Sequence, residues 1–308
     1  MEPRIQYAQT KDGVSIAHYA MGEGKPLVYM TAWPYQHLQL EWQYPTFTDI
    51  YEPILEKRKL IRFDGRGSGL SEMSVSDYSL EARLMDLESV AERLGLETFD
   101  LLGHQSSGPL AIAYAARNPD RLSHLVLYNT YARAADYAAT PQITALRGVL
   151  DTDWEMFTET SAHVIFGWSE GEEARRWASF MRECVSQDSA RASMAARLED
   201  DVAELLPQVN TPTLVVHQRG VAFPAVDSAR SLASRIPNAR LVVVEGDYRS
   251  PAKATLGPIL EFLGEGEEAT AGAKLATEHV HTILFTDVEG STALTQRLGD
   301  AKARELLR

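Results

Sequence analysis

The residues best suited to chemistry lie in one short stretch, Gly103-His104-Gln105-Ser106-Ser107-Gly108. An apolar run precedes it and a helical pattern follows it, which predicts a strand, a sharp turn and a helix. Small residues two positions before and after Gln105 fit a turn that packs strand against helix with no room for larger side chains. A serine at position 105 would be a nucleophile there, but a glutamine amide is not.

Two hydroxyl groups follow directly, on Ser106 and Ser107. Neither serine has small residues two positions away on both sides, so a shifted turn fits the sequence less well. We interpret both as cap-like residues at the start of the helix. Ser106 stays the alternative nucleophile.

The elements that would position this turn alternate between strands and helices. Apolar residues at helical spacing over 80–95 predict an amphipathic helix that ends at Gly95. Residues 5–10 and 14–20, with a turn around Asp12 and Gly13 between them, are predicted to form an antiparallel hairpin. Continuous apolar strands between helices predict a mostly parallel sheet covered on both faces. Six such runs lie at 26–31, 60–63, 99–103, 125–128, 213–217 and 241–244.

This pattern and four motifs resemble the α/β-hydrolase family over residues 1–263. The motifs lie at 27–33, 62–71, 103–109 and 211–217. The resemblance implies an α/β fold with a helical cap after strand six, here about 131–206. It also implies that 64–71 is a structural turn with an internal Asp–Arg contact.

The resemblance also assigns positions to a catalytic triad. The nucleophile position falls on Gln105, the acid position after strand seven on Val221, and the histidine position on Arg249, with Tyr248 as the alternative. Arginine has no lone pair with which to accept a proton. Other acids are no better placed, because Asn129 stands after strand six and Asp227 begins a helix. We therefore predict an inactive triad.

A pocket at this site is predicted to bind a small molecule, with Arg249 favouring an anionic one and with no cofactor needed. Its predicted lining is Trp33, Gln105, Ser106, Trp154, Phe166, Val221 and Arg249.

The C-terminal part has a different character. Residues 264–278 are rich in Gly, Ala and Glu and predict a linker. Residues 282–292 resemble the opening of a class III nucleotidyl cyclase domain, which implies a truncated α+β segment over 279–308, too short for turnover. In that family Asp287 and the Val288 carbonyl would bind Mg²⁺ or Mn²⁺. A triphosphate would lie on Gly290, Ser291 and Thr292.

Composition limits the partners. A net charge of −13 argues against nucleic-acid binding, and no apolar run is long enough to span a bilayer. The single cysteine, Cys184, fits a reducing cytoplasm.

These observations predict a catalytically inactive, ligand-sensing α/β-hydrolase-like domain that regulates a class III nucleotidyl cyclase, as a homodimer through the cyclase domain. The alternatives are an active serine hydrolase that uses Ser106, and a structural dimerisation module.

Overall fold

A computed structural model describes residues 3–138, 140–221, 223–248 and 253–265. They belong to one compact unit, Met1–Glu265, and the second unit, Gly266–Arg308, lies outside the described residues. The predicted cyclase segment, with Asp287, Val288, Gly290, Ser291 and Thr292, therefore has no structural description here.

Eight strands form a single sheet in the order β1-β2-β4-β3-β5-β6-β7-β8. The strands are β1 (Gln6–Gln9), β2 (Ser15–Met21), β3 (Pro26–Met30), β4 (Lys59–Phe63), β5 (Phe99–His104), β6 (Leu122–Tyr128), β7 (Thr213–Gln218) and β8 (Ala239–Val244). β1 pairs antiparallel with β2 and β2 with β4, whereas all later pairings are parallel. The predicted hairpin and the mostly parallel sheet are confirmed.

Ten α-helices connect or cover the strands within the described ranges. They are α1 (Pro45–Leu55), α2 (Leu80–Arg93), α3 (Gly108–Arg117), α4 (Ala134–Ala138), α5 (Pro141–Leu150), α6 (Trp154–Phe166), α7 (Gly171–Cys184), α8 (Gln187–Leu198), α9 (Val226–Arg235) and α10 (Lys253–Gly264). Five of them, α4 to α8, lie between β6 and β7. In the described part of the chain, no helix combines the length and apolarity that crossing a bilayer requires.

Side-chain alternation along the strands divides the core in two. On β3, Val28 and Met30 belong to one cluster, with residues of α2, α3 and α9. Leu27 and Tyr29 belong to the other, with residues of α1, α10 and the helices between β6 and β7. Because successive strand residues point to opposite faces, an apolar run buries both faces of the sheet.

Helix α2 shows how local sequence sets an element. Ser79 caps its N-terminus by accepting a hydrogen bond from the Ala82 amide, and the chain leaves the helix through Gly95 at φ 62°. Glycine adopts this left-handed conformation without a Cβ penalty, which explains the predicted stop.

Candidate active site

The turn between β5 and α3 places Gln105 at its apex with a φ of 51°. A short 3-10 turn, Gln105–Ser107, then leads into α3. A left-handed conformation is costly for a residue with a side chain, of order 1–3 kcal/mol. Strain of this kind at a strand-to-helix turn is the geometry of a nucleophile elbow.

Close packing explains the small residues of the elbow. A Cβ on Gly103 would lie 2.7 Å from the Cβ of Ala111, and one on Gly108 would lie 1.8 Å from Oγ1 of Thr130. Larger side chains would force β5 and α3 apart. The elbow therefore depends on glycine at both positions.

Three hydroxyl groups hold the elbow against neighbouring loops. Ser106 Oγ donates to the Trp33 carbonyl at 2.7 Å, Ser107 Oγ donates to the Thr31 carbonyl, and Thr130 Oγ1 donates to the Gln105 carbonyl. Ser107 occupies the N-cap position of α3, as predicted, but neither serine hydroxyl accepts a capping hydrogen bond. Both instead bind the loop that follows β3.

A buried ion pair anchors the start of that loop. Arg62 donates to both carboxylate oxygens of Glu41, at 2.6 and 2.8 Å, and both side chains are fully buried. Arg62 also donates to the Tyr29 carbonyl at 2.7 Å and to Thr31 Oγ1 at 2.9 Å. The end of β3 is thereby held beneath the elbow.

The 64–71 turn is structural, but its predicted internal Asp–Arg contact is wrong. Asp64 accepts hydrogen bonds from the Leu38 and Leu70 amides. Arg66 instead pairs with Asp86 and Asp12. Burial, and then the charge of Glu41, raise the pKa of Asp64 to about 7.

Of the other positions considered for the triad, Val221 follows β7 and Asn129 follows β6. Val221 is buried and does not line the cavity described below. Asp227 and Arg230 form an exposed ion pair on the surface of α9, and Asn129 exchanges hydrogen bonds with Gln218. Arg249 lies outside the described residues.

His104, next to the apex, is enclosed rather than catalytic. Its ring stacks on Tyr128 at 4.4 Å between centroids, and its Nδ1 lies 3.4 Å from the Tyr29 hydroxyl. Burial, and then the charge of Arg62, lower the pKa of His104 to about 3. It is a neutral packing residue at physiological pH and a weak base.

A cavity of about 320 Å³ opens above the elbow. Its size suits a small ligand. Gln105, Ser106 and the loop after β3 form one wall, and side chains from α5 to α8 form the opposite, mainly apolar wall. No histidine is present among the described lining residues.

Four of the predicted lining residues meet in this cavity, namely Trp33, Gln105, Ser106 and Phe166. Trp154 does not line it and instead stacks on Phe157, at 5.5 Å between ring centroids. Phe157 is the aromatic residue of that pair that lines the cavity.

Three charged residues of the cavity wall were missed from the sequence, Arg147, Arg197 and Asp247. Arg197 Nη1 donates to the Trp33 carbonyl at 3.2 Å, the same carbonyl that accepts from Ser106. A signal existed on α8, since Met194, Arg197 and Leu198 share the i, i+3, i+4 spacing of one helix face.

No metal centre accompanies these groups. Within the residues that the structure describes, no three His, Cys, Asp or Glu side chains are grouped so that they could hold a metal ion.

The strain at the apex gives a stability prediction. The Gln105→Gly variant is expected to be more stable than the Gln105→Ala variant, by about 1 kcal/mol in the free energy of unfolding. The reason is that only glycine adopts the left-handed conformation freely. Both variants remove the amide, so urea unfolding of the pair isolates the backbone contribution. An alanine variant as stable as the glycine variant would contradict it.

Similar proteins share this architecture over most of the chain. A protein of Caulobacter sp. (strain K31), named "Putative carbamate hydrolase RutD", is 27% identical over 228 residues, covering 71% of this chain and 85% of the relative. Non-heme chloroperoxidase CPO-A1 of Kitasatospora aureofaciens is 26% identical, with 77% and 89% covered. An esterase structure from Exiguobacterium antarcticum superposes with a TM-score of 0.74 at 20% identity, covering 84% of this chain and 99% of that one.

The prediction of an inactive sensor domain of a class III nucleotidyl cyclase is wrong, because the curated relatives carry the names of enzymes such as a carbamate hydrolase and a chloroperoxidase. That prediction rested on the residues at the three triad positions, Gln105, Val221 and Arg249. In this fold, however, the donors that stabilise a reacting carbonyl are backbone amides, which a side-chain change leaves in place. Ser106 also lines the cavity.

A family model covers the elbow, the helices above it and most of the sheet. This model, described as the alpha/beta hydrolase fold, matches residues 44–251. The matched region holds Gln105, Ser106, Arg197 and Asp247. With its mostly parallel sheet, its strained turn after β5 and this match, the chain belongs to the α/β-hydrolase fold family.

Proposed function

We propose that this chain is an active hydrolase of small ester-like or carbamate-like substrates, with Ser106 as its nucleophile. One observation carries the proposal: Ser106 lies in the wall of a cavity of about 320 Å³, directly after the strained apex of the elbow. The names of the relatives support the class of reaction, since they include a carbamate hydrolase and an esterase.

Backbone amides would stabilise the reacting carbonyl. In this fold the oxyanion hole is made by the amide after the elbow apex and by an amide of the loop that follows β3. Here these belong to Ser106 and to the loop of Ala32 and Trp33, and the bond from Ser106 Oγ to the Trp33 carbonyl keeps the two segments together. Preorganised donors of this kind supply a large share of catalysis in acyl transfer.

The proposed chemistry is acyl transfer in two steps. The Ser106 hydroxyl first gives up its hydrogen bond to the Trp33 carbonyl. Its Oγ then attacks the substrate carbonyl carbon while its proton passes to the Asp247 carboxylate, and that proton leaves with the alcohol or amine. Water next attacks the acyl-serine, which releases the acid and restores the hydroxyl. We assign the base to Asp247 because it carries the only carboxylate among the described cavity residues. Its backbone carbonyl accepts a hydrogen bond from Gln218 Nε2 at 2.9 Å, which positions the segment.

In this proposal the family's triad positions are occupied by Gln105, Val221 and Arg249, and none of them takes part in proton transfer. The elbow and its amides are used, whereas the nucleophile stands one residue later. Gln105 would contact the bound substrate from the apex.

The direct test is turnover and acyl capture by the full chain. We expect saturable release of p-nitrophenol from p-nitrophenyl acetate and butyrate, and an acyl group on the peptide containing Ser106 after acid quenching. A matching panel of p-nitrophenyl carbamates should give a longer-lived adduct, because carbamoyl-serines hydrolyse slowly. Release no faster than in buffer, with no adduct on any substrate, would overturn the proposal.

Predictions for the C-terminal part stay predictions. They are the linker at 264–278, the start of a cyclase domain at 279–308 and a homodimer formed through it. The proposed hydrolase activity uses none of these residues.

A further inference from the structure

The charged groups of the cavity are unevenly balanced. Arg197 and Arg147 both line it, whereas Asp247 is the single carboxylate among the described lining residues. The whole chain carries a net charge of −13, so the excess of positive charge among the described cavity residues is opposite in sign to the charge of the chain. A cleft with charge of one sign attracts small ions of the opposite sign.

Arg197 has unused hydrogen-bonding capacity. Its guanidinium carries five N–H groups. Among the described residues it makes a single hydrogen bond, from Nη1 to the Trp33 carbonyl, and its buried Nε has no partner. No carboxylate of the described residues forms an ion pair with it. Its neighbour Asp200 pairs with Arg83, and burial raises the pKa of Asp200 although the charges of Arg83 and, to a smaller extent, Arg197 lower it. A partly buried guanidinium gains stability from an anion that accepts two parallel hydrogen bonds.

The position of Arg197 relates this charge to the reacting centre. The Trp33 carbonyl accepts hydrogen bonds from both Arg197 Nη1 and Ser106 Oγ. The two donors are therefore neighbours on one acceptor. An anion held by Arg197 would lie beside the hydroxyl that attacks the substrate.

Most of the cavity lining opposite the elbow is apolar. Side chains from the helices between β6 and β7 line it opposite the elbow, among them Phe157, Val164, Ile165, Phe166, Trp177 and Met181. These side chains suit a hydrocarbon group. The cavity thus has Arg197 beside Ser106 and mainly apolar side chains beneath the helices.

From this arrangement we propose that the substrate is a carboxylate-bearing ester or amide, whose carboxylate binds Arg197 and whose apolar group lies against the helices. This inference rests on the proposed function and names its substrate class. Because Arg197 and Ser106 both donate to the Trp33 carbonyl, the carboxylate of the substrate must lie only a few bonds from its reacting carbonyl. A half-ester of a short dicarboxylic acid has this arrangement. Arg147, exposed at the cavity wall, adds a second, weaker attraction.

Binding of a matched pair of amides tests the inference separately from turnover. N-hexylsuccinamate has a carboxylate, a carbonyl and an apolar tail, and N-hexylbutanamide is its neutral counterpart. Isothermal titration of the full chain should show at least tenfold tighter binding of the succinamate. Arg197→Gln should abolish this preference without weakening the neutral amide, and Arg197→Lys should keep part of it.

Arg191→Gln is the matched control, because Arg191 lies on the same helix but pairs with Asp151 and Asp188 on the surface. It should leave the preference unchanged. Equal affinity of the parent for both amides, or a preference that survives Arg197→Gln, would overturn the inference. A preference that depends on Arg197 in a chain without esterase turnover would uphold the inference and reject the proposed hydrolysis.

Discussion

Ser106→Ala is expected to lower ester turnover by at least about 10³-fold, because loss of the attacking hydroxyl leaves only binding and the backbone amides. The variant loses the bond from Ser106 to the Trp33 carbonyl, but Arg197 still donates to that carbonyl, and Ser107 and Thr130 still hold the elbow. KM should therefore change far less than kcat. The measurement is kcat and KM with p-nitrophenyl butyrate, together with loss of the acyl adduct from the peptide that contains residue 106.

Ser107→Ala is the control for this change. Ser107 is buried, its hydroxyl donates to the Thr31 carbonyl, and it is not among the residues that line the cavity. Its loss should cost about 1 kcal/mol of stability and change turnover only slightly. If Ser107→Ala were inactive and Ser106→Ala active, the nucleophile would be Ser107. If both kept full turnover, a serine mechanism at this elbow would be ruled out.

Asp247→Asn separates the nucleophile from its base. Asparagine keeps the shape of the side chain but cannot accept the Ser106 proton. In the proposed mechanism this variant loses acylation, and turnover falls along with adduct formation. Normal acylation by Asp247→Asn would remove Asp247 from the mechanism while leaving Ser106 in it.

Glu41→Gln is expected to lower the free energy of unfolding by about 3–5 kcal/mol, because it leaves the buried Arg62 guanidinium without its counterion. Both side chains have 0% exposure, and Arg62 also binds the Tyr29 carbonyl and Thr31 Oγ1 at the end of β3. A domain has only about 5–15 kcal/mol of stability in total. Urea unfolding of the parent and the variant measures the loss.

The surface pair Arg117–Glu81 provides the control. These side chains are 43% and 67% exposed, so Glu81→Gln should cost at most about 1 kcal/mol. A similar, small cost for both glutamate variants would contradict the role assigned to the buried pair.

Asp64 gives the buried pair a pH signature. Burial and Glu41 raise the pKa of Asp64 from 3.8 to about 7. A carboxyl group whose pKa is higher in the folded than in the unfolded state adds stability at low pH. For Asp64 this stability is lost as the pH rises through its folded-state pKa of about 7. Removal of Glu41 lowers this pKa, so that an ionised Asp64 can partly replace Glu41 as the counterion. The cost of Glu41→Gln should therefore shrink as the pH rises towards 8.

Local patterns were enough to predict the sheet and the elbow. The apolar run at 26–30 becomes β3 because successive side chains, such as Leu27 and Val28, pack into the hydrophobic clusters on opposite faces of the sheet. Gly95 ends α2, and glycines at 103 and 108 allow β5 and α3 to pack closely. Each of these features depends on steric limits or on side-chain periodicity within a few residues, which a sequence displays directly.

The site chemistry required contacts between distant segments. Arg197 of α8, Asp247 after β8 and Ser106 after β5 line one cavity only because the helices between β6 and β7 fold back over the sheet edge. Counting triad positions along the chain found Gln105, but it could not show that the next hydroxyl and an arginine share the Trp33 carbonyl. Strands, turns and glycines follow from local geometry, whereas the cavity and its charges arise from long-range packing, which brings side chains together without regard to their spacing in sequence.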